Sequence, residues 1–348
     1  MKRPVAPGER QESPHVVRLS LGAAMTLGFR TGLFHRGVQL RCINMLMTYE
    51  GGCSANCAYC GLQKSRAGGF GNKSFIRVDW PAFPLTEVVT AIGQHRHTVS
   101  RVCISMITHA RVPRDIMAIL DQILPLAIKT SILLCPTVTN EDDLREYKAR
   151  GVDRIGVAFD LPTPDLFDRH RGSGVQGPHQ WTRFEHLLRT GLLIFGPEKV
   201  GVHLIVGLGE SEQGMVARMQ EIRDLGALPH LFSFFPERNS LLADASPPSA
   251  AQFRRMQLAS YLITHRLGSY GQMSFNEKGE LIGFGIEPAK VQQVVNEGCP
   301  FLTSGCPHCT RPYGDCMPGD DIRSFPFPLE VTDIAAVREQ LGLTGELP

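Results

Sequence analysis

Short apolar runs alternate with helical patterns along most of this chain, and that alternation limits it to folds built on a parallel sheet. The runs occupy residues 42–48, 102–107, 132–136, 154–159, 200–206 and 230–235. Helical periodicity follows near 86–94, 114–126, 141–150, 180–189, 214–225 and 250–265. Several helices carry start signals, as where Asn140 stands ahead of the acidic pair Glu141 and Asp142. Six βα units in series imply parallel strands joined by right-handed crossovers. A closed eight-unit barrel needs two more. The expected fold is therefore α/β, a partial (β/α)6 TIM-like barrel, with a doubly wound sheet as its competitor. In either fold ligands gather at the carboxyl edge of the strands.

The alternation defines a barrel over residues 39–290. Ahead of it, residues 1–38 read as an N-terminal cover segment, helical over 14–37. A Pro-rich stretch at 245–249 and a hairpin-like run at 273–286 mark a transition. Beyond it, residues 291–348 read as a small Cys-rich extension, poor in regular pattern up to 329 and organised by metal rather than by a core of its own. The chain has 348 residues, 43% of them hydrophobic, enough to bury a substantial core. Its net charge is only +2 with Lys and Arg scattered, which leaves no footprint for nucleic acid or an anionic membrane. Residues 1–11 lack a signal-peptide core, and the apolar stretch 19–34 is interrupted by Arg30 and too short to span a bilayer. A soluble cytoplasmic protein is expected.

Ten cysteines are many for that compartment. Cys53, Cys57 and Cys60 lie together, as do Cys299, Cys306, Cys309 and Cys316; Cys42, Cys103 and Cys135 stand outside both groups. Disulfide frameworks belong mainly to small secreted chains, so two tight groups here favour metal or iron–sulfur ligation. Cys103 and Cys135 fall inside apolar runs and read as small core residues.

The first group has the spacing C-x3-C-x2-C and follows the first strand and the pair Gly51–Gly52. It therefore occupies a loop at a strand's carboxyl end. Three thiolates hold three irons of a [4Fe–4S] cube and leave the fourth open, whereas structural zinc normally takes four ligands. The motif, with Tyr59 before its last cysteine, resembles that of the radical S-adenosylmethionine superfamily. The resemblance implies that the cofactor's amino and carboxylate groups chelate the open iron. An electron then breaks the C5′–S bond to give methionine and a 5′-deoxyadenosyl radical.

Further residues are assigned to the cofactor by that resemblance. Gly207-Leu208-Gly209-Glu210 ends the fifth strand and resembles the cofactor-contacting G-x-G-E segment of biotin and lipoyl synthase relatives; the plain alternative is an ordinary strand-to-helix turn. Asp160, ending the fourth strand, is placed to bond the ribose hydroxyls or to cap the next turn. Ser105 and Thr108 end the second strand, where many relatives carry a segment for the methionine amino group, and here the sequence departs from that pattern. His109, His203 and His230 near strand ends read as hydrogen-bonded structural histidines. Arg171 and Arg311 read equally as partners of a carboxylate or the cofactor and as structural cations.

The second group, C-x6-C-x2-C-x6-C amid prolines, suits a structural zinc or a second [4Fe–4S] cluster, and spacing alone does not choose. The runs 44–49, 60–62, 303–307 and 311–313 are similar to the biotin-synthase-like proteins that act as two-component lipoyl synthase, over about residues 18–329. That resemblance implies sulfur insertion into an octanoyl chain on a lysine of a lipoyl-carrier domain or H-protein. A companion radical enzyme subunit shares the two insertions, and an external one-electron reductant supplies electrons. One cluster makes the radical and the second gives up sulfide. With only Cys306 and Cys309 in the family pattern, a serine such as Ser304 is a candidate further ligand. The rivals are a methyltransferase, methylthiolase or ring-forming radical enzyme whose second cluster survives turnover, and a zinc-stabilised binding protein.

Overall fold

A computed structural model describes residues 12–66, 68–69, 73–74, 78–314 and 321–343. Six strands form the parallel sheet: β2 (Cys42–Met47), β4 (Arg101–Ser105), β5 (Lys129–Leu134), β6 (Arg154–Asp160), β7 (Val200–Val206) and β8 (Leu228–Ser233). Each pairs in parallel with the next in the chain, in the order β2-β4-β5-β6-β7-β8. A doubly wound sheet reverses its strand order at a switch point; this one never does. It is a partial TIM-like barrel, not closed by strand hydrogen bonds.

The helices α2 (Leu85–Gln94), α3 (Val112–Ile123), α4 (Glu141–Ala149), α6 (Trp181–Phe195), α7 (Glu212–Asp224) and α8 (Ala250–Thr264) follow the strands as the periodicity predicts. The boundary at Asn140 is a complete capping box: its side chain accepts from Asp143 N while Asp143 accepts from Asn140 N. Within the barrel, α5 (Pro164–Arg171), capped by Thr163, lies outside the expected set.

The N-terminal segment is a correction. Instead of a helical cover, its described residues carry β1 (Val16–Leu19), which pairs antiparallel with both β2 and β3 (Ala82–Pro84), a six-residue helix α1 (Leu21–Thr26) and a single 3-10 turn at His35–Gly37. All four residues of β1 are buried, so this short Val-rich segment gains more by extending the sheet than by coiling over it. The hairpin-like run is a pair, β9 (Ser274–Phe275) with β10 (Leu281–Gly283).

The C-terminal stretch is more regular than its composition suggests. It holds α9 (Pro288–Glu297), the single turn α10 (Arg311–Gly314) and α11 (Val331–Gln340). Val291, Val294, Val295, Phe301, Phe325 and Val337 join the main hydrophobic core. Arg254 of α8 ties this stretch down, donating to Arg323 O (2.7 Å), Ile322 O (2.8 Å) and Gln340 Oε1 (2.8 Å). The loop after Phe301 also caps the edge strand: Leu231 N of β8 donates to Ser304 Oγ (3.1 Å). Ser304 is thus committed to the backbone. No helix among the described residues is long and apolar enough to cross a membrane.

Candidate active site

Side chains alternate across a strand, so the residues that face the barrel interior follow from register. Leu46, Ile107, Cys135, Ala158, His203, Ile205 and Phe232 line one cavity of about 210 Å³ at the carboxyl end of the strands. Counting back by twos, the layers beneath hold Cys42 and Asn44 of β2, Arg101, Cys103 and Ser105 of β4, Ser131 of β5, and Arg154 of β6. Gly156 and Gly201 leave room for larger neighbours there: a Cβ on Gly201 would stand 2.5 Å from the His230 ring.

The loop after β2 brings Cys53, Cys57 and Cys60 to the wall of this cavity. Gly52, at φ 70°, makes the turn into the loop. Backbone bonds then fasten it to three other segments: Ser54 N to Thr108 O (2.8 Å), Ala58 N to His170 O (2.8 Å) and Leu242 N to Ala58 O (3.1 Å). Within the loop, Cys60 N donates to Cys57 O (3.0 Å) and Leu62 N to Cys60 Sγ (3.4 Å). Burial pushes the Cys57 thiol up to about 11 although Arg171 beside it pulls the other way, and burial raises Cys60 well above the usual thiol range. Bare, these thiols keep their protons; a metal must displace them.

Tyr59 and Asp160 meet in the same wall. The Tyr59 hydroxyl donates to Asp160 Oδ2 (2.6 Å), and Arg171 Nη1 approaches the same oxygen at 3.0 Å. Arg171 also donates to the carbonyls of Phe159 (2.9 Å) and Ala158. Burial alone would lower its pKa, but Tyr59, Asp160 and Cys57 around it raise it, so the guanidinium stays charged. Asp160 itself sits at φ 65°, a left-handed conformation that Asp tolerates better than most residues and that turns its carboxylate inward.

Cys135 faces the cavity too, with its Sγ 3.3 Å from Thr108 Oγ1. Glu237, close to Cys60, is engaged by Arg66 (3.3 Å) and Ser74. Among the described residues no three His, Cys, Asp or Glu side chains converge on a point that would hold a single metal ion. A polynuclear cluster presents a separate iron to each thiolate, and the Cys53, Cys57, Cys60 set, facing one cavity, fits it.

Most of the other proposed cofactor residues lie elsewhere. Gly207, Gly209 and Glu210 are outside the cavity wall. Glu210 folds back to accept from Gly207 N (2.6 Å) and Leu208 N (2.8 Å), closing the strand-to-helix turn with its own carboxylate. Both glycines have positive φ, 105° and 97°. Ser105 is buried and accepts from Arg311 Nη1 (3.2 Å), which places it below the cavity floor. Thr108 and His203 line the cavity. His203 and His230 lie in the interior with rings 5.9 Å apart, both held neutral by burial, His230 down to about 4. His109 instead stacks on Tyr49 at 3.9 Å.

The second cysteine group does not stay together. Cys299 is exposed, near Tyr261. Cys316 lies outside the described residues. Cys306 and Cys309 enter the amino-terminal end of the barrel interior, where they meet Cys42 and Cys103. Cys42 and Cys309 lie close enough to act on each other, which raises the Cys42 pKa and draws that of Cys309 down to about 7. Cys306 Sγ lies 3.5 Å from Ser131 Oγ. Cys103 is close enough to both Cys306 and Cys309 for their charges to act on it. All nine described cysteines are free thiols. Cys42 and Cys103 escaped the sequence reading because they sit inside apolar runs. The period-two count back from Leu46 and Ile107 was the signal that could have turned them inward.

No protein-family model and no curated protein matches the sequence. Among solved structures, the [FeFe]-hydrogenase maturase HydG matches with a TM-score of 0.50 at 13% identity, over 65% of this chain and 50% of that one. HydG from Carboxydothermus hydrogenoformans gives 0.49 at 14%, over 70% and 56%. Methylornithine synthase (PylB) gives 0.49 at 9%, over 70% and 66%. The chain thus spans between half and two thirds of the length of these proteins. At such identities the first of these matches speaks to the fold alone, and agrees with the partial barrel.

Proposed function

We propose that this protein is a radical S-adenosylmethionine enzyme that inserts sulfur into an octanoyl chain on a carrier-protein lysine, performing one of the two insertions of a two-component lipoyl synthase. The observation that carries the first half is the set Cys53, Cys57 and Cys60 on one wall of the cavity at the strands' carboxyl end. A [4Fe–4S] cluster there would hold S-adenosylmethionine at its open iron and, on receiving one electron from an external reductant, supply the hydrogen abstraction that no acid or base achieves on an unactivated C–H bond.

The chain's own residues have definable tasks around that centre. Arg171 places a fixed positive charge beside Cys57 and offsets the negative charge of the thiolates. Tyr59 and Arg171 occupy one oxygen of Asp160 and so fix its carboxylate, leaving Oδ1 to accept from the hydroxyl groups of a bound ligand. Leu46, Met106, Ile107, Leu133, Ile205 and Phe232 make the remaining wall mostly apolar, which suits a hydrocarbon chain and excludes water from a reactive intermediate.

The sulfur half rests on the resemblance and on a second set of thiols at the opposite end of the same barrel. Anaerobic turnover with the companion subunit, a reductant and an octanoyl-lysyl peptide tests it: thiolated peptide and 5′-deoxyadenosine are expected together. Deoxyadenosine with no thiolated product refutes sulfur insertion and leaves a methyltransferase, methylthiolase or ring-forming enzyme, in which the second cluster persists. Absence of both products refutes the radical reading.

A further inference from the structure

Behind the first cysteine loop, outside the cavity wall, lies a buried cation. Lys73 is 7% exposed, and lysine is rarely so buried unless a charge pairs with it. Its ammonium donates to Gln63 O (2.7 Å), just past the last cysteine of the motif. Gln63 N donates in turn to Cys60 O (3.2 Å), so one turn of backbone joins Lys73 to the cysteines. The ammonium is close enough to Cys53 and Cys60 for their charges to act on it.

The antiparallel addition to the sheet places this side chain. Arg18 of β1, itself buried, donates from Nη2 to Lys73 O (2.5 Å) and from Nε to Trp80 O (2.5 Å). β1 pairs with β2, whose carboxyl end runs into the cysteine loop, so Lys73 and the loop share one rigid support. The neighbouring cation is matched: Arg66 lies 3.3 Å from Glu237 and also donates to Gly61 O (2.7 Å). Lys73 has the Gln63 carbonyl, and no carboxylate among the described residues. A buried ammonium needs a compensating negative charge. Three protonated thiols give none. Once a metal has displaced their protons, the thiolates of Cys53 and Cys60 supply it.

We propose that Lys73 is a positioning residue of the first cluster: it is the fixed counter-charge behind Cys53 and Cys60 that, with Arg171 beside Cys57, makes this centre easier to reduce. The proposal rests on the radical reading as far as that cluster, and not on sulfur insertion. Reduction adds one negative charge to a centre already held by three thiolates. A cation fixed nearby favours that reduced state, since net charge around a cluster is one determinant of its potential. Burial shields the ammonium from salt, so its effect persists at high ionic strength.

The test is an anaerobic redox titration followed by electron paramagnetic resonance, without S-adenosylmethionine. A parent chain carrying Cys306→Ala/Cys309→Ala lets the first cluster report alone. Lys73→Met and Lys73→Gln remove the charge with side chains of different shape. Both are expected to keep about four irons. Both should shift the reduction equilibrium about tenfold toward the oxidised form, which lowers the midpoint by about 59 mV for a one-electron couple. The shift should be the same at about 0.1 M and about 1 M salt. Lys73→Arg keeps the charge and should keep the parent potential. Parent midpoints in both neutral variants overturn the proposal. So does an Arg variant displaced as far as the Met variant, which would make shape the cause, or a shift that vanishes at high salt. Folded neutral variants that bind no iron would make Lys73 a scaffold residue and overturn it as well. No iron in the parent chain would sink the first cluster itself, and the radical reading with it.

Discussion

Replacing Asp160 by Asn removes one charge from the cavity wall and nearly nothing else. Asn is isosteric and tolerates the left-handed backbone at this position, so no backbone penalty confuses the result. What is lost is the partner of Arg171, whose side chain is 8% exposed and lies 3.0 Å from Asp160 Oδ2. Removing one member of a buried ion pair typically costs about 3–5 kcal/mol, because the other charge stays buried without compensation. Arg171 keeps the Phe159 and Ala158 carbonyls, which places the expected loss lower, at about 2–3 kcal/mol. Urea unfolding of the anaerobically purified protein measures this by linear extrapolation. Trp181 is a built-in probe, with its ring 4.9 Å from Phe159. The double variant Asp160→Asn/Arg171→Met should lose less than the sum of the single changes, by about 1–3 kcal/mol, since the pair is in contact. A single-variant loss below about 0.5 kcal/mol, the range of ordinary surface changes, would refute the reasoning.

Three further outcomes are expected. His230, held down to about 4 by burial, is neutral in the fold; its contribution to stability is complete above the usual histidine pKa near 6.5 and is lost as pH falls toward 4. That amounts to about 3 kcal/mol, so urea midpoints should drop between pH 7 and pH 4.5, and His230→Gln should flatten the drop; equal pH dependence in both proteins would count against it. Gly207→Ala forces a side chain onto a backbone at φ 105° and puts its Cβ 2.6 Å from Pro248 Cδ, for an expected loss of about 1–3 kcal/mol in the same assay; an unchanged midpoint would contradict it. Cys135→Ala should leave the iron content intact, because Thr108 already holds that thiol and the first cluster needs only three; a fall of about four irons would show that Cys135 is a fourth ligand.

Much of the frame was legible because buried parallel strands read as continuous apolar runs, and all six appear within a few residues of where those runs lie. The first cysteine motif was legible for a local reason: its three residues share one loop. What the sequence concealed depends on distant pairing. β1 is four residues long and takes its partners from segments roughly thirty and sixty residues away, so no periodicity announces it. Helix α5 is mostly polar and buries little beyond Phe167 and Arg171, which hides its stripe, although Thr163 before Pro164 is a proper start signal. Nearness in sequence is not nearness in space for the C-terminal cysteines: Cys299 is only seven residues before Cys306 yet is exposed, whereas Cys42, far off along the chain, lies near Cys309.

Radical chemistry here requires, at Cys53, Cys57 and Cys60, an iron that no protein side chain completes. Its most direct test is the electron paramagnetic resonance spectrum of the reduced protein, recorded before and after adding S-adenosylmethionine, in a chain carrying Cys306→Ala/Cys309→Ala so that one cluster reports alone. A changed signal, with coupling to nitrogen in the labelled methionine moiety, is the expected result. A spectrum indifferent to the cofactor would contradict the account.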